Sequence, residues 1–237
     1  MNKIMNKMLK VKSIPSTIQR TRISNKQHEI FNYEFHNYCI DLEQIQFLSK
    51  NILDTIFNQN AKIILDIGFG NAEQLFELAT KFPEYNFIGV ELYKKGILNL
   101  INKIKQTNLS NIKIIYGDIK SIIQQFDDNC IYKIQIFFPD PWPKRKHHKR
   151  RLINLNFLNI IKSKLLQGEG ILHIATDCED YSKNIIKNIS MIPNYCKFLD
   201  YKMFRTTTKF AKIAISLGKN IWDLIFVLKS NIDLKNN

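Results

Sequence analysis

KIILDIGFG, residues 62–70, governs how the rest of the chain is read. It is an apolar run of strand length, interrupted by one acid, Asp66, and ended by Gly68 and Gly70. So short and apolar a run marks a strand buried on both faces, as parallel sheets require. Glycines at its end let the backbone bend sharply and approach a ligand closely. The next segment, NAEQLFELATKF (71–82), sets Leu75, Leu78 and Ala79 on one side of a helix.

The same alternation continues downstream. YNFIGVE (85–91), NIKIIYGD (111–118), IYKIQIFF (131–138) and GEGILHIATD (168–177) read as strands. Between and after them KKGILNLINKIK (94–105), a short stretch near 121–126, NLNFLNIIKSKLL (154–166) and EDYSKNIIKNIS (179–190) read as helices. Repeated strand–helix units predict an α/β fold, a Rossmann-like, doubly wound, mostly parallel sheet. DYKMFRTTTKF (200–210) and NIWDLIFVLK (220–229) read as two strands joined without a helix, hence an antiparallel C-terminal pair. Upstream, DLEQIQFLSKNILDTIF (41–57) spaces Leu42, Ile45, Leu48, Ile52 and Ile56 as an amphipathic helix. Residues 1–41 show little periodicity and are read as a basic N-terminal arm, followed by a single domain over 42–237. There is no internal repeat and no Gly/Ser/Pro-rich linker to divide that domain.

Composition narrows the function. With 237 residues, 45% hydrophobic and 24% charged, the chain can bury a proper core. No apolar run approaches the roughly 20 residues that cross a bilayer, so no membrane partner is expected. Cys39, Cys130, Cys178 and Cys196 form no CxxC pair and no zinc spacing, which predicts a reducing cytoplasm and no metal. The formal net charge of +14 and a pI near 9.5 point to a polyanionic partner, the alternative being a merely solvated basic surface.

Ligands of such sheets bind at the carboxyl ends of the strands. Those ends carry Asp66, Glu91, Asp118, Asp140 and Asp177. Glu91 follows the glycine turn by about 20 residues, where an acid grips ribose hydroxyls. A dinucleotide fingerprint would need glycine where Glu73 stands, and a pyrophosphate suits a ring of carboxylates poorly. S-adenosyl-L-methionine reverses that objection, since its sulfonium, ammonium, ribose hydroxyls and adenine amine are cations or donors. Glu91 is then assigned to the ribose, Asp118 to the adenine amine and Asp66 to the amino-acid end, with Gly68 and Gly70 shaping the turn. Each acid taken singly also reads as the cap of the helix that follows it.

Residues 137–151, FFPDPWPKRKHHKRR, run from strand to proline-stiffened acid to cationic tract. With LDIGFG, GVEL, ATD, TKF and WDL in order along the chain, this stretch resembles the tRNA (guanine-N7-)-methyltransferase family, over about residues 21–227. The resemblance implies a class I methyltransferase fold and methyl transfer from S-adenosylmethionine to N7 of the variable-loop guanine of tRNA. It implies cofactor positions at Asp66, Glu91, Asp118 and Asp140, with Asp140 also catalytic. It marks Lys144, Asp177, Thr208, Lys209, Phe210 and the aligned Ala211 as substrate positions, and Lys146, His147, His148, Lys149, Arg150 and Arg151 as the tRNA-contacting tract. The chain departs from the family at Asp66 (Glu in relatives), Ala72 (Gly), Ala211 (Glu) and Ile213-Ala214 (Arg-Gly).

The chemistry fits such an arrangement. Guanine N7 has an in-plane lone pair and no proton to lose, so the site needs orientation more than a base. Attack leaves a cationic purine, which a fixed carboxylate stabilises, and Pro139 and Pro141 stiffen Asp140 for that role. Trp142 either stacks on the base or packs beneath the loop. Two other readings stand beside this one: an exocyclic-amine methyltransferase, of whose Asn/Asp-Pro-Pro-aromatic turn PDPW is a near miss, and a basic RNA-binding protein on a methyltransferase fold that has lost activity. The partner expected is tRNA, and the chain is expected to be a monomer or homodimer.

Overall fold

A computed structural model describes residues 23–197 and 209–230, without the side chains of 209–211. Seven strands, β1 (Lys62–Ile67), β2 (Tyr85–Glu91), β3 (Ile112–Tyr116), β4 (Lys133–Phe137), β5 (Ile171–Thr176), β6 (Tyr195–Lys197) and β7 (Trp222–Leu228), form one sheet in the order β3-β2-β1-β4-β5-β7-β6. The first five are mutually parallel, and β7 lies antiparallel to both β5 and β6. This is the predicted mostly parallel sheet with antiparallel strands at its C-terminal side. Strand order reverses between β1 and β4, and in open α/β sheets that switch point places the ligand crevice.

Both faces are covered, as the apolar strands require. Helices α1 (Asn25–Tyr38), α3 (Glu73–Lys81) and α4 (Lys94–Thr107) bury Phe31, Leu75 and Ile101 against Ile64, Phe87 and Ile114. On the other face α2 (Lys50–Phe57), α5 (Ile119–Ile122), α6 (Leu155–Lys164) and α7 (Glu179–Ser190) bury Leu53, Ile122, Leu158 and Ile185 against Leu65, Ile134, Ile174 and Phe226.

Three elements differ from the sequence reading. Within the segment read as a basic N-terminal arm, Ser24 and Gln27 form a reciprocal capping box that starts α1. Its buried Glu34 pairs with Lys105 of α4, and the Ile40 N–H donates to the Ile114 carbonyl at 2.8 Å, covering the β3 edge. The helix expected over 41–57 begins only at α2, because Ser49 caps it, accepting from the Ile52 N–H at 3.3 Å. At the C-terminal side a helix, α8 (Lys209–Ser216), precedes β7 where a direct strand-to-strand connection was expected. Most of the strand read over 200–210 lies outside the described residues.

One close approach fixes the crevice. Gly96, in the first turn of α4, lies so near the turn after β1 that a Cβ there would sit 1.8 Å from the Gly70 carbonyl oxygen. Only glycine lets α4 reach that turn. Gly96→Ala is expected to destabilise the fold by about 1–3 kcal/mol, as overpacked sites do. The measurement is the urea unfolding midpoint, with Lys95→Ala on the neighbouring position as the control that should move little.

Candidate active site

The carboxyl ends of β1 to β4 open onto a cleft of about 800 Å³, within the range of small-molecule sites. Glu91, Asp118, Pro139, Asp140 and Trp142 line it, together with Lys149 and Arg150 from the cationic tract. A narrow recess adjoins it, lined by Asp66, Gly68, Gly70 and Gln74 and sharing Phe137 and Phe138 with the cleft.

The turn after β1 owes its shape to three residues in the left-handed region, Gly68 at φ 76°, Gly70 at 59° and Ala72 at 68°. Ala72 takes a conformation that costs an L-residue about 1–2 kcal/mol, and its methyl is fully buried. Glu91 ties this turn to the next crossover. One carboxylate oxygen accepts from the Gly70 N–H at 2.7 Å, and the other accepts from Leu92 and Tyr93 N–H at 2.7 and 2.9 Å. A carboxylate offers roughly four acceptor directions, so Glu91 retains about one for a ribose hydroxyl. Asp118 both caps α5, accepting from the Lys120 N–H at 3.0 Å, and faces the cleft, so its two readings coexist.

Asp66 lies deeper than a rim position. It is 3% exposed and accepts from Gln135 Nε2 at 2.9 Å. Burial pushes its carboxyl up to about 7 against the opposing pull of the Gln135 hydrogen bond and the Lys133 charge, with Glu91 adding a smaller upward push. Lys133, also buried, is driven down to about 7 by desolvation, against the attraction of Asp66 and Asp223. Gln135 and Lys133 escape motif reading, and their signal is polarity at alternate positions of an otherwise apolar central strand, KIQIF.

The 139–142 turn is strained on both sides of Asp140. Phe138 and Trp142 sit at φ 51° and 44°, where bulky residues cost about 1–3 kcal/mol each. Asp140 itself is exposed at the cleft wall. Beyond it the tract coils into a 3-10 helix, Arg145–Arg150. The Arg150 guanidinium lies 4.9 Å from the Trp142 ring centre, and His147 meets that ring edge-on at 5.8 Å.

The remaining predicted residues are distributed less uniformly. Lys144, just before this 3-10 segment, and Lys146 within it are exposed, and His147 and His148 are half-exposed, all outside the cleft lining. Asp177 also stands apart from the lining and pairs with Lys219 at 2.9 Å. Thr208 lies outside the described residues, while Lys209, Phe210 and Ala211 open α8 with side chains that are not described. Arg151, grouped with the tRNA-contacting tract, is 2% exposed and turned inward. Among the described residues no helix is long and apolar enough to cross a membrane, and no group of three or more His, Cys, Asp or Glu could hold a metal.

A parallel sheet reversing at β1/β4, with a glycine turn and acids at successive strand ends, defines a class I methyltransferase fold. Among solved structures, the 16S rRNA methyltransferase KamB shares that fold, with a TM-score of 0.55 at 10% identity over 77% of this chain and 95% of that one. The methyltransferase family model Methyltransf_4 matches residues 60–224. A tRNA (guanine-N(7)-)-methyltransferase of Buchnera aphidicola subsp. Acyrthosiphon pisum (strain 5A) is 44% identical over 182 residues, 74% of this chain and 76% of that one. The Nitrosococcus oceani protein of the same name is 37% identical over 224 residues, 93% and 92% of the two chains. The chain belongs to the tRNA (guanine-N(7)-)-methyltransferase family.

Asp66 has a measurable consequence for stability. Below about pH 4 both folded and unfolded chains hold its proton. From there to about 7 only the folded chain does, so stability falls as pH rises through that window. Lys133 acts oppositely above about 7, where the unfolded chain binds the extra proton and stability recovers with rising pH. Urea midpoints at pH 5 and pH 7 should therefore decline in the natural protein. Asp66→Asn should remove that decline, and an equal decline in the variant would refute the assignment.

Proposed function

We propose that this protein transfers the methyl group of S-adenosyl-L-methionine to N7 of a guanine in tRNA, the variable-loop guanine that the family motifs imply. One observation carries the reading: Asp140 shares a single cleft with Glu91 and Asp118 and with Lys149 and Arg150. Carboxylates suit a cationic methyl donor, and cations suit a phosphate backbone.

The cleft passes a simple test of fit for that donor. Its volume of about 800 Å³ admits a nucleoside-sized ligand, and Asp118 and Glu91, the latter with about one acceptor direction to spare, line it. Asp66, behind the glycine turn, would face the ammonium of the amino-acid end. When bound, the donor supplies the electrophilic methyl.

The chain's own residues do the rest by placement. Guanine N7 needs no deprotonation, so no general base is assigned. Asp140 would accept from the guanine N1–H and exocyclic amine, and its negative charge would stabilise the positive charge that the ring gains. Because N7 lies on the deep major-groove edge of A-form RNA, the substrate guanine must be unpaired or extruded. Lys149, Arg150 and the exposed part of the 3-10 segment would hold the flanking phosphates. The four cysteines are free, and burial lifts the Cys39 and Cys130 thiols to about 12, so neither is a reactive thiolate.

The decisive experiment incubates the protein with labelled S-adenosylmethionine and bulk unmodified tRNA and identifies the modified nucleoside. The expected product is 7-methylguanosine; an exocyclic methylamine would select the amino-methyltransferase reading, and binding without turnover the inactive one. Asp140→Ala should lower kcat by at least about 100-fold, the size of losing one preorganised electrostatic group, while the fold, read by its urea midpoint, is retained.

A further inference from the structure

Arg151 is set apart from its basic neighbours by where its guanidinium goes. Its Nε donates to the Pro141 carbonyl at 2.8 Å. Its Nη2 donates to Asp180 Oδ2 at the start of α7 and lies 3.1 Å from His148 Nε2, which accepts in the neutral tautomer protonated at Nδ1. The guanidinium carbon stands 4.7 Å over the ring of Tyr181, a fully buried residue whose hydroxyl accepts from the Ile153 N–H at 3.0 Å. Lys149 and Arg150, two and one positions earlier, are exposed and line the cleft.

The turn so fastened is one that would not hold itself. Prolines 139 and 141 set their own φ but leave the 141–142 peptide plane free. Residues preceding proline are steered toward extended backbone, yet Phe138, which precedes Pro139, lies at φ 51°. Trp142 lies at 44°, directly after the carbonyl that Arg151 grips. A strained turn persists only where its surroundings over-determine it.

We propose that Arg151 is a positioning residue: with Asp180 and Tyr181 of α7 it latches the 139–142 turn so that Asp140 faces the cleft, and it takes no phosphate. The proposal rests on the reading of Asp140 as the carboxylate at the reacting base. It gives Asp180, whose side chain is two-thirds exposed and outside the cleft lining, a part in turnover. The Arg151 hydrogen bond also holds the Asp180 carboxyl below its ordinary range.

The test compares Asp180→Asn, Arg151→Gln and their combination with Lys149→Ala and Arg150→Ala. Each is assayed for kcat, for tRNA affinity against salt, and for quenching of Trp142 in a Trp222→Phe background, the chain having two tryptophans. Latch variants should lose at least tenfold in kcat, keep tRNA affinity within about twofold and keep the natural salt slope. They should expose Trp142 to quencher, and the combination should be no worse than Arg151→Gln alone. Lys149→Ala and Arg150→Ala should each flatten the slope by about 0.7–0.9, one phosphate contact apiece. Asp180→Asn replaces one exposed surface group, so it keeps the test informative if Arg151→Gln does not fold. A flattened salt slope in Arg151→Gln, or full kcat and unchanged quenching in Asp180→Asn, overturns the latch. Full activity in Asp140→Ala would instead sink the role of Asp140, and the Trp142 quenching would still decide whether the turn is latched.

Discussion

Three backbone N–H groups, from Gly70, Leu92 and Tyr93, converge on the one carboxylate of Glu91. The geometry of the cleft depends on that convergence. It holds the turn after β1 against the start of α4, while Gly96 lets the same helix come within touching distance of the Gly70 carbonyl. Charge-assisted bonds to backbone donors are among the stronger ones in a protein, and here they fix a loop that has no side-chain cap of its own. An acid read from sequence as a ligand for ribose is therefore first a builder of the loop that would hold the ribose.

Much of the sheet is legible in the sequence because buried parallel strands leave short apolar runs, and each of β1 to β5 falls within one. What escapes is decided by contacts distant in sequence. Ser24 and Gln27 spell a capping box, but α1 buries few residues, so its periodicity is faint. Asp66 and Asp118 look alike as strand-end acids, yet one lies in a desolvated recess and the other caps a helix at the open cleft. Spacing carries no information about depth. Arg150 and Arg151 are adjacent and chemically identical, and only α7, some 30 residues on, draws one inward. The start of α8 is masked by the threonines and aromatics that precede it, residue types that favour extended backbone.

The cleft carries both signs of charge. Glu91, Asp118 and Asp140 line it at the strand ends, and Lys120, Lys149 and Arg150 line it with them. At physiological salt an exposed charge is felt over about 8 Å, so each set acts mainly on what lies against it. On the proposed reading a cationic cofactor and a polyanionic substrate meet in one cleft without either needing to neutralise the other's binding groups. The net charge of +14 then acts at longer range, speeding encounter rather than setting the chemistry.

The place of β7 between β5 and β6 has a consequence for synthesis on the ribosome. Among the described residues β6 hydrogen-bonds in the sheet only through β7, and β5 has β7 as its outer neighbour. When residue 197 has been made, β6 has nothing to pair with, and the outer edge of β5 stays open until the chain reaches Leu228. At translation speeds of about 5–20 residues per second that interval lasts on the order of seconds. During it the nascent chain presents a bare sheet edge to its surroundings, and whatever shields that edge in the cell must act within the same interval.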